Sequence, residues 1–106
     1  MRVLFVCSRN RLRSPTAERV AAEMDGIKAL SAGTAPDADC RVSLDLVEWA
    51  DRIVCMESRH TRALSQDFGA HLADTPVTTL GIPDDYAFMD SALVGLLRQR
   101  LPSVLR

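Results

Sequence analysis

Apolar residues come in short blocks separated by longer stretches with helical spacing. Val3-Leu4-Phe5-Val6 is apolar on both faces, as a central strand of a parallel sheet is when both of its faces are covered. Ala17, Val20, Ala21 and Met24 then recur at helical spacing. The pattern predicts a strand over 2–6, a helix over 14–24 stopped by Asp25-Gly26, and a second strand over 28–32. Ser31 to Asp39 reads as loop. A helix over 42–49 directs Leu46 and Trp49 to the core, and a third strand spans 52–56. A helix over 59–67 and a short strand over 77–80 follow. From Ser91 a final helix buries Leu93, Leu96, Leu97 and Leu101, and Pro102 ends it. Strands alternating with helices imply parallel pairing through right-handed crossovers. Neither repeats nor a linker interrupt the 106 residues, which read as one α/β domain over 1–106.

The first strand ends at Cys7, and Arg13-Ser14-Pro15 opens the next helix. A Cys-x5-Arg-Ser loop between strand and helix is suited to holding an oxyanion against a thiolate. Backbone N–H groups of residues 8–13 gather at a helix N-terminus, where an anion is favoured, and successive N–H groups form an anion-binding nest. That field favours thiolate at Cys7, the expected nucleophile. Arg13 offers a planar fork to two phosphoryl oxygens. Ser14 is placed both to cap the helix, with Pro15 in its first turn, and to hydrogen-bond the sulfur. Asn10 is expected to brace the loop through side-chain bonds. Ser8, Arg9, Asn10, Arg11, Leu12, Arg13 and Ser14 together form the expected phosphate-binding set.

This segment resembles the active-site loop of low-molecular-weight protein tyrosine phosphatases, whose pattern is Cys-x-Gly-Asn-x-Cys-Arg-Ser-Pro. The resemblance continues through Ser31-Ala32-Gly33-Thr34, through Ala50 to Met56 with His60, Arg62 and Leu64, and through Ile82-Pro83-Asp84-Asp85-Tyr86. It runs along nearly the whole chain in order, and is closest to a short branch of predicted tyrosine phosphatases in that superfamily. It implies a three-layer domain with a four-stranded parallel sheet in the order 2-1-3-4 and helices on both faces. Cys7 then lies at the carboxyl edge of the central strand, where open α/β sheets bind ligands. The resemblance also makes Asp84 the general acid, with Asp85 the competing candidate and Tyr86 beside Asp85 in the substrate cleft. Four departures stand out. Arg9 replaces a glycine, and would be strained if that position requires a positive φ. Leu12 replaces the second loop cysteine, Asp85 replaces a proline, and the wall between Thr34 and Val42 is short.

Composition narrows the function further. An apolar fraction of 47% supports a core, and a net charge of -1 argues against general nucleic-acid or membrane binding. Arg9, Arg11 and Arg13 nonetheless crowd one loop, with Arg2 and Arg19 near in sequence. They raise local positive potential for a polyanionic substrate and oppose a cationic one such as phosphoarginine. No spanning or signal-like run is visible, so a cytoplasmic protein is expected. Three cysteines lack zinc-ligand spacing; Cys55 reads as core, while Cys40 stays open. His60 and His71 read as ordinary helix or loop residues. The expected activity is cofactor-free hydrolysis of a phosphorylated protein or small phosphomonoester by a monomer or weak dimer. An arsenate reductase-like enzyme and a non-catalytic phospho-ligand binding module are the alternatives.

Overall fold

The computed structural model describes residues 1–105. Four strands, β1 (Arg2–Cys7), β2 (Lys28–Gly33), β3 (Arg52–Cys55) and β4 (Val77–Thr79), form one parallel sheet in the order β2-β1-β3-β4. The helices are α1 (Arg13–Ala22), α2 (Leu44–Trp49), α3 (Ser58–Phe68) and α4 (Ser91–Val104).

The strand period sorts β1 between two cores. Val3, Phe5 and Cys7 face a cluster with Val20 of α1 and Leu93, Leu97 and Leu101 of α4. Leu4 and Val6 face the opposite cluster, with Ile53, Val47 of α2 and Leu64 of α3. Every β1 residue after Arg2 is buried, as a strand covered on both faces should be. Truncating a central residue such as Leu4 to alanine would cost roughly 2–5 kcal/mol through lost burial and a residual cavity.

Several boundaries differ from the sequence expectation. Strand β2 runs through Gly33, one residue past the expected 28–32, so the loop begins at Thr34 rather than at Ser31. A Cβ at Gly33 would come within 2.5 Å of the Ser8 carbonyl oxygen, so the glycine permits β2 to abut the Cys7 loop. Helix α1 ends at Ala22, and Gly26 makes the turn into β2 at φ +78. In α2, Ser43 is the N-cap and Val47 the buried residue, while Leu46 and Trp49 lie half-buried against the core. Helix α4 runs past Pro102 to Val104. The proline sits in the last turn, where the Leu105 N–H still reaches the Leu101 carbonyl at 2.9 Å.

Candidate active site

Cys7 ends β1 at the carboxyl edge of the sheet and is almost fully buried. The loop after it turns its carbonyls away from the cleft. Thr34, Ala35 and Asp39 donate backbone N–H bonds to the carbonyls of Cys7, Ser8 and Arg9, at 3.0, 2.9 and 3.0 Å. Among the described residues, no backbone N–H from Ser8 to Leu12 donates to a protein acceptor. The reversal is made at Asn10, whose φ is +58. Asparagine tolerates that conformation, so Arg9 escapes the strain its position suggested.

Helix α1 begins one residue earlier than expected. Its N-cap is Leu12, which offers no side-chain acceptor. Ser14 is therefore not the cap; its Oγ lies 2.9 Å from Cys7 Sγ and receives a bond from Asn10 Nδ2 at 3.1 Å. The helix terminus thus stays uncapped by protein, with its first N–H groups free for an anion.

Arg13 is only 2% exposed, so its charge requires partners inside the protein. Its Nη1 donates to Glu57 Oε1 and to the Ile82 carbonyl, the latter at 2.7 Å. Its Nε lies 3.6 Å from Asp84 Oδ1. Glu57 follows β3, Asp84 follows β4, and Arg13 opens α1. The guanidinium therefore ties three sheet-edge segments together.

These groups enclose a cavity of about 690 Å³, lined by Cys7, Ser8, Arg9, Arg11, Leu12, Arg13, Thr34, Ala35, Arg59, His60 and Asp84. Asn10 and Ser14 lie outside that lining and are tied to it through the Ser14 bond to Cys7 Sγ. Asp85 and Tyr86, expected at the substrate cleft, also fall outside it. The Tyr86 ring turns instead onto the α1/α4 core cluster, where its apolar area is half-buried. Arg2 pairs with Asp51, and Arg19 lies over the Phe88 ring at 5.5 Å, so neither reaches the cavity. Rim arginines are paired with acids: Arg9 with Asp37 at 3.7 Å, Arg11 with Asp39 at 3.1 Å and Arg59 with Glu57 at 3.0 Å.

Glu57, Arg59 and the buried His60 are site residues that sequence reasoning did not place here. Their signal was position: they start the segment after β3, on the edge where Cys7 sits. Burial pushes the Glu57 carboxyl up, but bonds and charge from Arg13 and Arg59 outweigh it and leave the group below the usual range. His60 is held down to about 4 by burial, with the Arg13 and Arg59 charges adding to it. Burial raises the Cys55 thiol to about 11, consistent with a core residue. Cys40 is exposed and, like Cys55, absent from the cavity wall.

Solved structures share this architecture. A low-molecular-weight protein tyrosine phosphatase from Streptococcus pyogenes is 20% identical, with a TM-score of 0.75 over 98% of this chain and 90% of that one. The tyrosine phosphatase Wzb from Escherichia coli K30, in complex with phosphate, is 23% identical, with a TM-score of 0.71 over 92% and 91%. An active-site variant of the arginine phosphatase YwlE, carrying a phosphorylated serine, is 23% identical, with a TM-score of 0.74 over 100% and 97%. The chain has the low-molecular-weight tyrosine phosphatase fold. No family model and no curated protein sequence matches it. Among the described residues, no helix is long and apolar enough to cross a membrane.

Proposed function

We propose that this protein is a cysteine-dependent phosphomonoester hydrolase working through a phosphocysteine intermediate. The observation that carries the reading is the convergence of Cys7, Arg13, Asp84 and the unpartnered loop N–H groups on one cavity. The Cys7 thiolate attacks phosphorus, and the phosphorus–oxygen bond to the leaving group breaks. Asp84 gives its proton to the departing oxygen. Loop N–H groups and Arg13 hold the equatorial oxygens as charge develops. Water then attacks phosphorus and passes a proton to Asp84. The sulfur–phosphorus bond breaks, and thiolate and inorganic phosphate are released. The Ser14 hydroxyl, 2.9 Å from the sulfur, stabilises the thiolate at both stages.

The substrate is a phosphorylated protein or a small phosphomonoester, with phosphotyrosine among the candidates. Arg9, Arg11 and Arg59 on the cavity wall are each paired with an acid, so the bias against a cationic leaving group such as phosphoarginine that the loop arginines suggested is offset at the rim. Arsenate reduction draws no support from Cys40 or Cys55, which do not line the cavity.

The test is hydrolysis of p-nitrophenyl phosphate by reduced wild type and Cys7→Ser, with chelator, from about pH 5 to about pH 8. Activity that survives chelator and disappears in Cys7→Ser, with phosphate binding retained, is the expected result. A folded, reduced wild type that binds phosphate without turnover would make the protein a phospho-ligand binding module.

A further inference from the structure

His60 is 1% exposed and sits in the first turn of α3, on the cavity wall. Both ring nitrogens are engaged. Nδ1 faces the backbone N–H of Glu57 at 3.0 Å, and Nε2 lies 2.9 Å from Ser8 Oγ. An amide N–H only donates, so Nδ1 is the acceptor and carries no proton. The ring proton of the neutral imidazole is then on Nε2, which donates to Ser8 Oγ. The Ser8 oxygen is thereby used as an acceptor, and its own proton is directed elsewhere. Among the described residues the Ser8 side chain has no second protein partner, and Ser8 also lines the cavity.

We propose that His60 is a positioning residue that turns the Ser8 hydroxyl into a dedicated hydrogen-bond donor to the anion held above Cys7. The proposal rests on the phosphatase reading only in taking that anion to be a phosphoryl group. Three donors are aligned in series: Glu57 N–H to Nδ1, Nε2–H to Ser8 Oγ, and Ser8 O–H into the cleft. Such a chain polarises each successive bond towards its open end. The chain starts at the N-terminus of α3, whose dipole has its positive end there. A doubly protonated ring would set Nδ1–H against the Glu57 N–H, donor against donor. Arg13 and Arg59 also oppose that charge, whereas Glu57 and Asp84 favour it, and the ring is held neutral down to about pH 4. The relay therefore keeps one orientation at neutral pH. A loop with backbone N–H groups alone would lack this added donor beside the nucleophile.

The experiment measures calorimetric binding of inorganic phosphate to wild type, Ser8→Ala, His60→Leu, His60→Gln and the Ser8→Ala/His60→Leu double variant. Nitrogen-15 imidazole spectra of the wild type accompany it. A hydrogen bond to a charged acceptor predicts about tenfold weaker phosphate binding for Ser8→Ala and a similar loss for His60→Leu. The double variant should bind no worse than either single variant, since both remove the same donor. His60→Gln, whose amide can donate to Ser8 Oγ, should recover most of the affinity. The spectra should show a protonated Nε2 and a bare Nδ1.

Additive losses, Ser8→Ala binding within about twofold of wild type, or a protonated Nδ1 would overturn the proposal. If His60→Leu does not fold, Ser8→Ala and the wild-type spectra decide between these outcomes. Because the readout is phosphate binding, an absence of turnover would sink the hydrolase reading and leave this one standing. Turnover with unperturbed phosphate binding in both single variants would do the reverse.

Discussion

The loop from Cys7 to Ser14 and the segment from Pro83 to Met89 meet over the same cavity but are held in opposite ways. In the first, Cys7, Arg13 and Ser14 are buried, and carbonyls and side chains are bonded to β2, α3 and the residues after β2. In the second, every residue except half-buried Tyr86 is exposed. It is anchored mainly at its ends. Ile82 donates to the Met56 carbonyl and accepts from Arg13, while the Met89 N–H reaches Thr16 Oγ1 at 2.9 Å. Asp90 then caps α4 through the Ala92 N–H. The contrast matches two different tasks. Holding a developing charge needs donors fixed in advance, because reorganising them would consume the stabilisation they provide. Delivering a proton needs a carboxyl within reach of leaving groups of varied shape, and an exposed segment with few internal bonds suits that.

The sharpest way to break the comparison is inside the fixed half. Arg13→Lys keeps a charge but loses the planar fork, and with it the simultaneous hold on Glu57, Ile82 and the phosphoryl oxygens. The expected loss in kcat/KM is about 100- to 1,000-fold, the scale of removing a preorganised oxyanion donor. Phosphatase kinetics on the folded variant check it. A loss of only a few-fold would mean that charge alone suffices and that the buried clamp around Arg13 is a packing feature.

His60 tests whether the fixed half also ties function to stability. Its folded value of about 4 lies below the ordinary 6.5, so between those limits the unfolded chain binds the extra proton. Stability is therefore full above about pH 6.5 and falls as the solution is acidified towards pH 4. For a shift of this size the contribution is on the order of 3 kcal/mol. Denaturant unfolding across that range should show a steeper acid loss in wild type than in His60→Leu, which has no ring to protonate. Parallel pH profiles would show that His60 is not held neutral by the fold. The lowered Glu57 carboxyl acts in the same direction at lower pH, and it is present in both proteins.

Legibility in the sequence follows the same division. The double-faced β1 run, the helical stripe of α1 and the Cys7–Arg13 spacing are local patterns, and alternating elements implied parallel pairing, while the sheet order came from the family resemblance. What the sequence left open depends on contacts across distant segments. Ser14 was expected both to cap the helix and to bond the sulfur; the structure keeps the sulfur bond, while the helix starts a residue earlier with Leu12 as its cap. The left-handed residue is Asn10 rather than Arg9, a matter of where the loop reverses. Glu57 carries no motif, and His60, though part of the family resemblance, read as an ordinary helix or loop residue; their roles come from β3 ending beside β1. Tyr86 was expected at the cleft on the strength of its neighbour Asp84. Its half-buried side chain packs instead against the core cluster shared by β1, α1 and α4, and it is absent from the cavity lining.

The exposed half yields the smallest effect and the finest distinction, because two adjacent carboxylates compete for one task. Asp84 lines the cavity and approaches Arg13, whereas Asp85 does neither. Asp84→Asn should therefore slow turnover by about 100-fold on alkyl phosphates, whose poor leaving groups need the proton. Its effect should shrink on p-nitrophenyl phosphate, because nitrophenolate departs with little help. Asp85→Asn should change neither rate appreciably. The diagnostic quantity is the slope of log kcat/KM against leaving-group pKa, which becomes steeper when the acid is lost. A misfolded or loosened site would lower all substrates together and leave that slope unchanged. If Asp85→Asn steepens the slope and Asp84→Asn does not, the segment rearranges when substrate binds. The weakly held half of the site would then choose its acid only in the complex.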